Sequence, residues 1–205
     1  DDNAYRAGSI TSEVWGTLER VEAELAALPI HISDRPATSM TQIRAQCRRM
    51  HRRGKCGMVV IDYLQLLDGD DRQQSREREV ANMSRAAKQL AKELDIPVVI
   101  LAQLSRKVEE RQDKTPLLSD LRESGAIEQD ADMVLFIMRP EYYGIQTIRT
   151  GRYGTISSHG VGRFIIAKQR DGRTGEVCFR FNRSVTSLTD YDGPEEPQNA
   201  DTGPF

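Results

Sequence analysis

The chain has 205 residues, of which 38% are apolar, with 29 Lys and Arg against 31 Asp and Glu and a net charge of −2. That length suits one domain with a proper core, at roughly 100–200 residues per domain. The near balance of charge excludes a polybasic tail protein, so an anionic partner has to be held by a local patch.

No apolar run approaches the ~20 residues of a membrane helix, and no signal peptide opens the chain. Cys47, Cys56 and Cys178 are odd in number and lack C-x-x-C spacing, which argues against a disulfide framework or a zinc site and for a reducing, cytoplasmic compartment. The start Asp1-Asp2-Asn3, without Met, is expected of a piece of something longer.

In chain order, Val14, Leu18, Val21, Leu25 and Leu28 line one face of a helix from Thr11 to Leu28, capped by Thr11 or Ser12 and ended by Pro29. Ile30 to Ser33 reads as a short strand. Ser39 and Gln42 form a capping box for a second helix, from about Met40 to Arg53. Met58-Val59-Val60-Ile61 is an unbroken apolar run, as in a strand buried on both faces of a parallel sheet. Asp68 to Arg78 is polar and expected to be mobile. Val80, Met83, Ala87, Leu90 and Leu94 mark a third helix. Pro97 to Ala102 and Asp132 to Met138 repeat the buried-strand pattern.

This alternation implies an α/β fold with a parallel sheet. The stretch between Pro140 and Gly162 is expected to be loop. Arg163 to Gln169 and Glu176 to Asn182 then read as an antiparallel hairpin. The last sixteen residues hold five acids, three prolines and no Lys or Arg, and are expected to be disordered; residues 1–189 form the folded part and 190–205 the tail.

Asp62 ends the first buried strand, where open α/β sheets bind ligands and where an acid can hold Mg²⁺. A loop Asp capping the next turn is an equally good reading of that tetrapeptide. Gln103 ends the next strand and stands beside Asp62 if the strands are neighbours. No G-x-x-x-x-G-K-[ST] phosphate loop is present: Gly54-Lys55 is followed by Cys56, and Arg49 stands where the leading glycine belongs. Arg44 to Lys55 carries six cations in twelve residues without an acid; a solvated or subunit-facing helix is favoured over a nucleic-acid patch because few aromatics accompany it. Neither His31 nor His159 has a second ligand at metal spacing, and His51 reads as exposed. Arg122 can meet a phosphate and Gly125 lets a backbone N–H approach one. Arg170, on the hairpin loop after Lys168, is a cation at the tip of a firm scaffold.

Four segments in this order are similar to the motor domain of the DnaB-type replicative DNA helicases, the hexameric branch of the RecA-like ATPases. They are Val60-Ile61-Asp62-Tyr63-Leu64-Gln65-Leu66, Leu101-Ala102-Gln103-Leu104-Ser105-Arg106, Asp120 to Asp132, and Ile166-Ala167-Lys168-Gln169-Arg170-Asp171-Gly172. The resemblance covers about Tyr5 to Leu188.

It implies a RecA-like sheet flanked by helices, with ATP and Mg²⁺ as cofactors. Asp62 would be the Walker B acid for Mg²⁺, and Gln103 would couple the nucleotide to the DNA-gripping loop. Arg122, Glu123 and Gly125 match the loop that follows single-stranded DNA. Lys168 and Arg170 match the pair presented in trans to a neighbour's γ-phosphate, and Arg139 would contact the adenine. Identical subunits in a six-membered ring, a primase and a helicase loader are the partners implied; a membrane is not. The family's phosphate loop and catalytic Glu lie N-terminal to the matching region, so this chain alone is expected to be inactive. The alternative is a non-catalytic DNA- or subunit-binding module derived from such an ATPase.

Overall fold

A computed structural model describes residues 11–36, 38–69, 75–182 and 187–194, with the backbone but not the side chains of 122–124. The chain divides into two compact units, one spanning residues 9–134 and the other containing 135–205.

The first unit opens with α1 (Ser12–Ala26), whose first turn is capped by the Thr11 hydroxyl accepting from Val14 N–H at 3.4 Å. Its apolar stripe is where the periodicity places it, yet the helix buries no residue, and Trp15 is 56% exposed. The strand expected at Ile30 to Ser33 does not form. No described strand lies alongside to complete its hydrogen bonds, and Ile32 stays exposed. Helix α2 (Met40–His51) begins at the predicted capping box, with Ser39 Oγ accepting from Gln42 N–H and Gln42 Oε1 from Ser39 N–H.

Strand β1 (Val59–Ile61), helix α3 (Arg76–Leu94) and strand β2 (Val98–Ile100) follow, and β1 pairs parallel with β2, Ile61 opposite Ile100. Helices α2 and α3 cover one face of this pair. Met40, Ile61, Leu64, Val80, Met83 and Ala87 form one cluster, and Cys47, Leu90 and Leu94 a second. The expectation of burial on both faces is corrected here: Val60 is 56% and Val99 45% exposed, because the helices pack on one side of the strands only. Of the segment expected to be mobile, Asp68 bridges to Ser39, Arg76 to Arg78 begin α3, and residues 70–74 lie outside the described ones. Helix α3 ends with Asp95 in the left-handed region at φ 52°. A short helix, α4 (Gly125–Asp130), leads into β3 (Met133–Met138).

β3 belongs to a four-stranded sheet of order β3-β6-β7-β8, where β6 is Val161–Gln169, β7 Gly175–Asn182 and β8 Ser187–Asp190. Its burial alternates strictly, with Val134, Phe136 and Met138 inside and Met133, Leu135 and Ile137 outside. β6 and β7 form the predicted antiparallel hairpin, Ile166 opposite Gly175.

The stretch between Pro140 and Gly162 is not a plain loop. It holds a 3₁₀ turn and a second antiparallel hairpin, β4 (Thr147–Thr150) with β5 (Gly154–Ser157). Ile148 and Ile156 face each other and pack with Val161, Cys178 and Tyr191. Tyr191 is buried and its carbonyl accepts from the Tyr153 hydroxyl at 2.9 Å, so the ordered part continues past the expected boundary at residue 189. Residues 195–205 of the expected tail lie outside the described ones.

Candidate nucleotide and DNA site

Parallel pairing sends β1 and β2 out of the sheet at the same end. Leu101 N–H donates to Ile61 O at 2.9 Å, and Leu64 N–H donates to Leu101 O at 2.9 Å. Asp62 therefore emerges level with Leu101, and Gln103 follows two residues beyond it. Both are exposed. The Asp62–Tyr63 peptide is cis. Below them Leu64, with no exposed surface, plugs the strand end into the core shared with α2 and α3.

Sequence reading missed the residue that ties this end together. Gln65 carries the ladder one rung further with its side chain: Oε1 accepts from Gln103 N–H at 3.2 Å, and Nε2 donates to Gln103 O at 3.3 Å. Gln65 O in turn accepts from Arg76 at 2.5 Å, and Arg76 pairs with Glu79 at 2.8 Å, so the start of α3 is fastened to the same point. The only signal in the sequence was an amide three residues beyond the acid.

Gly125 opens α4 and is exposed; its φ of −52° suits any residue, and a Cβ there would meet nothing within 4 Å. Arg122 and Glu123 lie in the 3₁₀ stretch Leu118–Ser124, and their side chains lie outside the described ones. Leu121 is buried and anchors that stretch. Asp120, 4% exposed at its side chain, is held by a two-pronged ion pair from Arg111. The Arg111 guanidinium, helped by Leu117 N–H at 2.7 Å, keeps the Asp120 carboxyl below its usual range despite burial. Lys88 of α3 pairs with Asp132, two residues past the end of α4.

The other candidates belong to the second unit. Arg139 follows β3 and lays its guanidinium over the Phe181 ring, 3.8 Å from the centroid. Lys168 is the penultimate residue of β6, and Arg170 is exposed just beyond the strand.

Within the basic run, Arg44 and Arg48 both pair with Glu93, at 3.5 and 2.5 Å. Hydrogen bonding to Arg48 pulls the Glu93 carboxyl below its ordinary range. Arg49, Arg52 and Arg53 are exposed, and Arg35, Arg48, Arg49 and Arg52 line a cleft of about 560 Å³. Burial, followed by its neighbour Cys56, pushes the Cys47 thiol up to about 11, so it is protonated at neutral pH. Among the described residues no group of three or more His, Cys, Asp or Glu could hold a metal ion.

Paired parallel strands with helices on one face, and an acid and an amide beyond their carboxyl end, define an α/β domain. Residues 1–190 match the family model described as the DnaB-like helicase C terminal domain, and the chain belongs to that family. It is 42% identical over 200 residues to the replicative DNA helicase DnaB of Geobacillus stearothermophilus, covering 95% of this chain and 42% of that one. It is 45% identical over 188 residues to the replicative DNA helicase DnaC of Bacillus subtilis (strain 168), covering 91% and 39%. The chain therefore spans about two fifths of the length of these relatives.

Among solved structures, one ATPase domain superposes with a TM-score of 0.83 at 38% identity, covering 93% of this chain and 65% of that one. A DnaB-like replicative helicase studied for its interactions with primase gives 0.80 at 39% identity, covering 89% and 42%. The fold is thus the RecA-like α/β ATPase fold of DnaB-like helicases.

Proposed function

We propose that this chain is the C-terminal part of a replicative DNA helicase motor, which in the whole protein couples ATP hydrolysis at the boundaries of a hexameric ring to movement along single-stranded DNA in the cytoplasm. The observation that carries the reading is the parallel register of β1 and β2, which brings Asp62 and Gln103 out at one strand end. An exposed carboxylate there fits Mg²⁺, a hard cation usually bound by one or two carboxylates together with phosphate oxygens and water. Bound Mg²⁺ and ATP would supply the scissile phosphate and the neutralisation of its charge.

The chain's own residues have distinct tasks. Asp62 would hold the metal through water, while Gln103, fixed by Gln65, would feel the γ-phosphate. Arg122, Glu123 and Gly125 would grip the DNA backbone rather than base edges, which makes binding indifferent to sequence. Lys168 and Arg170 would reach a neighbouring subunit's nucleotide, as an arginine finger does. Arg139, braced on Phe181, would lie against the adenine. No phosphate loop occurs in these residues, so the cradle for the phosphates would come from elsewhere in the whole protein. A primase and a helicase loader are the expected protein partners.

The test is Arg170→Ala in the full-length protein. Nucleotide affinity should hold while turnover falls by about 10³-fold or more, the scale of a lost arginine finger. Undiminished turnover would remove the trans role.

A further inference from the structure

Between Gln103 and the stretch carrying Arg122 the chain makes a long excursion, and the structure closes it with a small polar lock. Ser105 N–H, two residues past Gln103, donates to Asp120 O at 3.1 Å. Asp120 N–H donates to Leu117 O at 2.9 Å, and its carboxylate accepts from Leu117 N–H. Both carboxylate oxygens are taken by Arg111, whose remaining terminal contact goes to Thr115 O at 2.6 Å. One guanidinium thus fastens two points of the returning segment, and one carboxylate fastens its base. Val108 and Leu121, both 6% exposed, are the buried apolar residues of the same stretch.

We propose that the Arg111–Asp120 pair is the positioning element that joins Gln103, assigned above to the nucleotide, to the backbone stretch that carries Arg122, assigned above to the DNA. This rests on the functional reading above and adds to it a device that none of the four resembling segments assigns. The short route from Gln103 runs through Ser105, across one hydrogen bond to Asp120, and on to Arg122; the covalent route goes the whole way round. With the lock closed, a displacement of Gln103 moves residues 120–122 as a body. With it open, the excursion absorbs the movement. A contiguous, hydrogen-bonded path of this kind can carry energetic coupling, and whether it does is decided by coupling measurements. The pair acts through Arg122 and Gln103 and touches neither nucleotide nor DNA itself.

The test uses the full-length ring and compares ATP turnover with and without an oligo(dT) strand, KM for ATP, and strand affinity. Asp120→Asn should lose about tenfold of the stimulation by single-stranded DNA, while KM for ATP moves by less than about twofold. Arg111→Lys keeps the charge but not the fork, so its stimulation should fall between wild type and Asp120→Asn. Full stimulation in Asp120→Asn would overturn the proposal, as would a loss of DNA-free turnover in the same proportion. Should Asp120→Asn fail to assemble into rings, Arg111→Lys decides on the same ratio. Two controls separate this from the reading beneath it. If Asp62→Ala still hydrolyses ATP, or Arg122→Ala still binds the strand normally, the nucleotide and DNA assignments fail, and the coupling with them. If both controls lose their functions and Asp120→Asn remains fully stimulated, the lock alone is refuted.

Discussion

Replacing Gln65 by Leu keeps the bulk of the side chain and deletes both of its bonds to the Gln103 backbone, at 3.2 and 3.3 Å. A hydrogen bond contributes about 0.5–1.5 kcal/mol net, so the pair is worth about 1–3 kcal/mol. Gln103 is exposed, so water takes over the vacated groups and the lower half of that range applies, about 1–2 kcal/mol. At about 1.4 kcal/mol per factor of ten, the Gln103 amide should exchange its hydrogen roughly 5- to 30-fold faster. Exchange followed by mass spectrometry on a peptide spanning residues 101–106 reads this directly, with a β7 peptide as reference. The acceleration should be confined to the strand end, and in the full-length protein DNA-stimulated turnover should fall with it. An unchanged Gln103 amide, or an equal acceleration in β7, would refute the assignment of Gln65 as a local clamp.

Three further outcomes follow from packing and charge. Leu90→Ala empties a site with no exposed surface between α2, α3 and the strands, and should lower stability by about 2–5 kcal/mol in urea denaturation. Gly162→Ala should cost about 1–3 kcal/mol, because a Cβ there would sit 2.1 Å from the Phe179 ring that lies across it on β7; retained melting temperature would contradict that packing. Asp120 is held below its usual carboxyl range, so its contribution is complete above its unfolded value of about 4 and is lost as pH falls through the lower folded value. Melting temperature recorded from neutral pH down to about 3 should therefore drop less steeply below pH 4 in Asp120→Asn than in wild type.

How much could be read in advance depended on whether the signal was local. The capping box of α2, the spacing of α3 and the β6–β7 hairpin are written in neighbouring residues, and each formed where expected. Asp62 was legible as a strand end because an apolar run that stops at a polar residue marks one, whereas β2 stops at Ile100, three residues before Gln103. The β4–β5 hairpin was missed. Its strands are four residues each, and Ile148 and Ile156 are their only apolar residues, the third inward position being Thr150. Gln65 and the Arg111–Asp120 lock are polar contacts between distant positions, and periodicity carries no information about those. The strand at Ile30 to Ser33 failed for the converse reason: its residues favour extension, but a strand is completed by its neighbour.

Burial shows the same division between local pattern and partner. β1, β2 and β3 are apolar at every position, the composition of strands covered on both sides. α2 and α3 cover one side of the β1–β2 pair, leaving Met58, Val60, Val99 and Leu101 between 43% and 58% exposed. On β3 the alternation leaves Met133, Leu135 and Ile137 outside. Surface strands of a sheet solvated on one face would alternate apolar with polar residues, and these do not. Selection for solubility of an open face would have placed Thr, Lys or Glu at positions such as 60, 99 and 135, since large contiguous apolar patches mark contact surfaces. The residue choice on the uncovered faces is therefore that of strands made to be packed against, and α1, amphipathic yet without a buried residue, has the same character.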